Sequence, residues 1–173
     1  MKTARGFSLI ELLIVVAIIL IIAAIAVPNL VRSRMAANES SAAQSERNIS
    51  TANITYSTVY GIGFASEFSF LGPPAGGGTS PTSDSADLID SALGSGTKSG
   101  YDFNTYDALD VDGNGVFDTY TDVAVPLLTD TTGKSTFCVD SSNVIMKDPS
   151  GTNVAPGAPG RSCPAAGFQV LGN

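Results

Sequence analysis

From Phe7 to Val31 the chain runs 25 residues with one charged side chain, Glu11. As a helix, such a segment is about 37 Å long at about 1.5 Å per residue, enough to cross a hydrocarbon core of about 30 Å. The six residues before it are short and basic, with Lys2 and Arg5, and close on Gly6. An ordinary secretory signal would carry an apolar run of about 7–15 residues and a small-residue exit of the Ala-x-Ala kind. Here the run is longer, and Ala23–Pro28 is an ambiguous exit, so the segment reads as an anchor that stays with the chain. Basic residues flank it on both sides, Lys2 and Arg5 before and Arg32 and Arg34 after. Charge asymmetry therefore gives no strong orientation.

Glu11 is the informative residue. A carboxylate inside a membrane span costs about 2.5–3.5 kcal/mol on insertion scales, a cost tolerated where the charge has a partner. Cleavage after Gly6 would create an amine at Phe7, one helical turn before Glu11. The two groups could pair within a chain or between neighbouring subunits staggered along a bundle of helices. Equally, Glu11 lies so near the start of the span that its carboxylate could sit at headgroup level.

Gly6-Phe7-Ser8-Leu9-Ile10-Glu11-Leu12, followed by an Ile/Val/Ala run and Pro28, resembles the class III signal of type IV pilins and type II secretion pseudopilins. The resemblance covers about 30 residues and implies a pilin fold: α+β, with a long amino-terminal helix packed on an antiparallel sheet of three or four strands. It implies cleavage between Gly6 and Phe7 by a prepilin peptidase and N-methylation of Phe7. Glu11 would complement the amine of an adjacent subunit, and Pro28 would mark the place where assembled helices loosen. The partners it implies are further copies of the chain, the peptidase, an inner-membrane assembly platform and the membrane before assembly. The location it implies is a single-pass bacterial inner-membrane protein that passes into an extracellular pilus or a periplasmic pseudopilus.

Composition narrows the rest. With 173 residues the chain can hold one ordinary domain beside the anchor. There is no histidine, which removes Ser-His-Asp and Cys-His catalysis, His-ligated zinc and the commonest general base. No other catalytic constellation stands out, so the chain does not read as an enzyme. The net charge of −7, with every acid except Glu11 at or beyond Glu39, argues against a nucleic-acid-binding face. The organisation expected is a leader at 1–6, a membrane and assembly half-helix at 7–31, and an amphipathic half at 32–61. A Gly/Pro/Ser-rich loop with a short helix follows at 62–99, and a β region closed by a disulfide at 100–173.

Pro28 lacks an N–H and clashes one turn back, which predicts a kink or local melting there. Beyond it, Val31, Met35, Ala42, Ile49, Ala52, Tyr56 and Val59 recur at spacings of three, four or seven, one face of a helix that Gly61 and Gly63 stop. Glu39, Glu46 and Arg47 fall with the polar residues on its other faces. Tyr56, Tyr60, Phe64, Phe68 and Phe70 form an aromatic series best explained as helix-on-sheet packing. The Asn-x-Ser/Thr triplets at Asn38, Asn48 and Asn53 lie within the helix and read as chance.

Further along, Ala86, Leu88, Ile89, Ala92 and Leu93 suggest a short helix, and strands are expected at 100–106, 116–125, 134–140 and 143–147. Pro126 should end the second strand or mark an edge, and Asp140–Asn143 should turn a hairpin. Asp110, Asp112, Asn114 and Asp118, with Gly115 at the sixth position, match the opening of a calcium loop. Its twelfth position is Thr121, where a bidentate acid belongs, and the same residues suit a tight hairpin. No cofactor is required, and the loop is a candidate for weak calcium binding beside the tight-hairpin reading. Cys138 and Cys163, the only cysteines, predict a disulfide in an exported domain that pins the Pro/Gly-rich end, 149–167, onto the sheet.

Overall fold

The computed structural model describes residues 7–74, 78, 80–152, 162–164 and 167–171. It divides into two compact units, Met1–Arg34 and Met35–Asn173. Helix α1, Leu9–Tyr60, contributes to both.

The first unit is helical, with almost every described side chain exposed. An apolar stretch of this helix reaches a mean hydropathy of 3.3 with none of it buried. Ile/Leu/Val/Ala side chains cover the cylinder all round, which is the composition of a span rather than of a stripe facing a core. The expected interruption at Pro28 is not realised as a break: α1 is continuous across it. A proline costs a helix one donor and a clash, and the turns on either side hold the helical path here.

In the second unit the later half of α1 lies on a seven-stranded antiparallel sheet, an α+β arrangement. The strands are β1 (Thr97–Lys98), β2 (Tyr101–Asp102), β3 (Asp107–Leu109), β4 (Thr119–Pro126), β5 (Thr136–Asp140), β6 (Met146–Asp148) and β7 (Gln169–Val170). Their order is β1-β2-β4-β5-β6-β7, with β3 also paired to β4. Only β4 and β5 are long, and they are the centre. The number of strands therefore exceeds the three or four expected, because short pieces are pinned on by pairing rather than by their own pattern. The expected strand at 100–106 shrinks to Tyr101–Asp102, since the Asp102 carboxylate accepts the Asn104 N–H at 2.9 Å and turns the chain there. Pro126 ends β4, as its missing donor requires.

Side chains on the two faces of β4 and β5 make two cores. Toward α1 lie Tyr120, Ala124, Phe137 and Val139 with Ala42, Ile49, Ala52 and Tyr56 of the helix. On the opposite face Val123, Cys138, Cys163 and Phe168 cluster, with Val125 and Met146 against them. The aromatic series packs as expected: Phe64 meets Tyr120 edge-on at 4.9 Å, and Phe68 lies 5.8 Å from Tyr106. Val59 departs from the expected face and is 65% exposed.

The short helix expected from Ala86 forms only at α2, Ser91–Gly94. The N–H groups of Ala86, Leu88 and Ile89 are already spent on the carbonyls of Phe70 and Leu71 in the 3-10 turn Phe68–Leu71. A helix can nucleate only at Asp90, whose carboxylate accepts the Leu93 N–H at 3.0 Å. Of the apolar residues expected on one side, Ala86, Ile89 and Leu93 are buried, Leu88 is half-buried and Ala92 is exposed.

The β5–β6 hairpin turns where expected. Asn143 donates its N–H to the Asp140 carbonyl at 2.8 Å and takes a positive φ of 61°. Strand β6 begins at Met146, three residues after the expected start. Gly63 also has a positive φ, of 80°, and a Cβ there would collide with the backbone of Phe117, so the chain can leave the helix only through glycine. Cys138 and Cys163 are joined in a disulfide with Cα atoms 5.8 Å apart. Part of the 149–167 segment it was expected to pin lies outside the described residues. Opening the bridge with Cys138→Ser and Cys163→Ser together is expected to cost about 3–4 kcal/mol, from a sequence separation of 25. Urea unfolding of oxidised wild type against the double variant measures it, and equal midpoints would contradict the expectation.

Candidate assembly segment and metal loop

Helix α1 starts at Leu9, so Ser8 is its N-cap and Glu11 its third residue. The Ser8 N–H donates to Glu11 Oε2 at 2.9 Å. This is one half of a capping box, in which a Ser/Thr cap and a Glu/Gln three residues on satisfy otherwise orphaned donors. Ser8-x-x-Glu11 carries the signature of this local use in the sequence itself. The carboxylate is thus held at the first turn, beside the backbone of Phe7 and Ser8, where an amine freed at Phe7 would also lie. Phe7 is 85% exposed. Gly6 lies outside the described residues.

The surface from Leu9 to Leu30 presents leucine, isoleucine and valine side chains that are about half or more exposed, among them Ile10, Leu13, Ile18 and Ile25. Exposed apolar area on that scale marks a membrane or protein contact. Pro28 sits near its carboxy-terminal end, with Val27 and Leu30 also exposed.

The candidate metal loop spans 110–118, between β3 and β4, which pair as a hairpin with Leu109 opposite Thr119. Carboxylate oxygens of Asp110, Asp112 and Asp118 all lie within 4.8 Å of one another. Asp110 organises the turn: Oδ1 accepts the Gly113 N–H at 2.7 Å and Oδ2 accepts the Gly115 N–H at 2.7 Å. The Asp118 carboxylate accepts the Val111 N–H at 3.0 Å. The Asn114 amide donates to Asp112 at 2.9 Å, and its oxygen accepts the Val116 N–H at 2.7 Å. The Gly115 N–H bond foremost holds the Asp110 carboxyl below its ordinary range. Its contribution to the turn is therefore present above the usual Asp range and fades as the pH falls through the lowered value.

All-oxygen donors on a tight turn fit a hard cation. The ligand set stops short, however. Thr121, at the twelfth position, is fully buried in β4, and so is Asp122 one step further. No acid closes the loop in the way a strong calcium site requires.

One residue that the sequence placed on an outer face belongs to the interior. Glu46, grouped with the polar residues of α1, is 0% exposed, and its Oε1 accepts the Ala124 N–H at 2.8 Å. Asn38 and Asn53, read as chance triplets, do structural duty. The Asn38 amide donates to the Thr132 carbonyl at 2.7 Å, and the Asn53 oxygen accepts the Tyr106 hydroxyl at 2.8 Å. Glu39 stands apart from Glu46: burial would raise its pKa, but the N–H groups of Ser135 and Lys134 and the Lys147 ammonium outweigh it and hold it lowered.

Comparison with known proteins finds similarity in this amino-terminal segment. Residues 1–27 match the prokaryotic N-terminal methylation motif. In this segment the chain is similar to proteins that carry that motif. A relative is the type IV wide pilus major component PilA4 of Thermus thermophilus, 59% identical over 39 residues. That stretch spans 22% of this chain and 30% of the relative. No solved structure matches the chain.

Proposed function

We propose that this chain is a structural subunit of a type IV pilus-like filament. It inserts in the inner membrane through α1, is cut after Gly6 and methylated at Phe7, and polymerises through the apolar half of α1. The observation that carries this reading is the exposed apolar helix of the first unit, interrupted by a single carboxylate at its first turn and coinciding with the methylation motif. A surface so apolar requires lipid or other copies of itself at every stage. The subunit's work is mechanical and non-catalytic. The disulfide beside the outer core favours a pilus subunit over a type II secretion pseudopilin or a minor pilin acting as a filament-associated binding module. Sheared filaments separate these alternatives, because a principal subunit dominates such a preparation and the others do not.

Glu11→Gln separates the two roles of Glu11. Glutamine still accepts the Ser8 N–H of the capping box but has no charge to offer an amine. The variant is expected to insert at the wild-type level and to lower the yield of sheared filament more than about tenfold, since about 1.4 kcal/mol per contact suffices for that. Wild-type filament yield from Glu11→Gln would reduce Glu11 to a helix cap.

The loop at 110–118 adds weak calcium binding to this proposal, supported by its three convergent carboxylates. Calorimetry on the full chain in detergent is expected to show heat only at roughly millimolar calcium, the range of weak extracellular sites. No heat there, or the same heat from Asp110→Asn, would end the reading.

A further inference from the structure

Glu46 of α1 and Asp122 of β4 are carboxylates buried on the same interior face, both 0% exposed. The Glu46 Oε2 atom and both Asp122 oxygens have no hydrogen-bond partner. The two ion pairs among the described residues, Lys98–Asp90 and Lys147–Glu39, engage other acids. The position is peculiar in the sheet. Strand β3 pairs with Thr119–Thr121 and β2 with Val125 and Pro126, leaving Asp122–Ala124 without a strand on that edge. Side chains fill in: Thr105 Oγ1 donates to the Val123 carbonyl at 2.6 Å and accepts its N–H at 3.0 Å. Glu46 takes the N–H of Ala124.

We propose that Glu46 and Asp122 form a proton-holding latch between α1 and β4, closed when the pair carries protons and loosened when it loses them. A buried ionised carboxylate without a partner is among the most costly groups a fold can contain, and two in like-charge contact cost more. The groups around the pair give no relief. Burial raises both acids, Asp122 adds like-charge repulsion on Glu46, and Asp102 adds it on Asp122. The remaining titratable neighbours are Tyr106 and Tyr120, with Asp140 acting on Tyr120. Both tyrosines stay neutral hydroxyls, raised first of all by burial. The Ala124 N–H opposes the shift of Glu46 without reversing it.

The sign of the effect follows from linkage. Both acids hold protons in the folded chain at pH values where the unfolded chain has released them. Their contribution to stability is therefore complete below the unfolded carboxylate range, near pH 4, and is lost progressively as the pH rises through the folded values. Each proton so held changes the folding constant by about tenfold per pH unit within that window.

The test uses the full chain in detergent micelles with its disulfide intact. Infrared spectroscopy at neutral pH is expected to show the carbonyl band of a protonated carboxylic acid, diminished in Glu46→Gln and in Asp122→Asn. Urea unfolding across the neutral to alkaline range is expected to show the wild type losing stability as pH rises. Each variant should lower that slope by up to about tenfold in the folding constant per pH unit. Glu46→Gln keeps an acceptor for Ala124, so it is the variant expected to fold best. Absence of the acid band in the wild type, which needs no variant to fold, would overturn the latch. Variant slopes equal to that of the wild type would overturn it as well.

Discussion

The second unit depends on the seam where α1 crosses β4 and β5. Ile49 and Tyr56 of the helix and Tyr120, Ala124, Phe137 and Val139 of the strands are almost wholly removed from water there. At about 25 cal/mol per Å² of apolar area, this contact is the main favourable term the short strands around it can draw on. Strands β1, β2, β3, β6 and β7 are two or three residues each and could not stand alone. They hold because β4 and β5 are fixed by the helix above and by the disulfide-centred cluster below.

Along the helix, two glutamates one heptad apart meet this seam differently. Glu39 reaches the backbone N–H groups of Lys134 and Ser135 and the Lys147 ammonium, and remains an anion. Glu46 is carried into the middle of the interface, where one N–H is available and Asp122 adds like-charge repulsion. Position on a single helical face thus decides whether a carboxylate ties the layers together as a charge or as a proton carrier.

Much of this was legible in the sequence because it rests on local chemistry. The apolar run with its single acid, the helical spacing of Ala42, Ile49, Ala52 and Tyr56, the turn at Asp140–Asn143 and the stop at Pro126 each follow from side chains acting on their own neighbourhood. Other features depend on distant partners. Glu46 looks like any solvated helix residue until the unpaired edge of β4 is brought against it. The helix expected at Ala86 fails because Phe70 and Leu71, distant in sequence, take its donors. At Pro28 the interruption expected from the missing donor is not seen, because the helix continues through it. In the candidate assembly site, the acid and its position were legible. Its hydrogen bond to Ser8 is encoded in the same four residues, Ser8–Glu11.

The two units make opposite demands of their surroundings. The second buries its apolar side chains internally, whereas the first leaves them exposed and can be satisfied only by lipid or by like chains. Filament assembly reconciles the two if the amine created at Phe7 meets Glu11 as the helices come together. Intact-mass analysis of chains recovered from sheared surface filaments tests that claim most directly. The account predicts a mature chain that begins with methylated Phe7. A chain that retains Met1–Gly6, or one that begins near residue 27 after loss of the apolar segment, would contradict it.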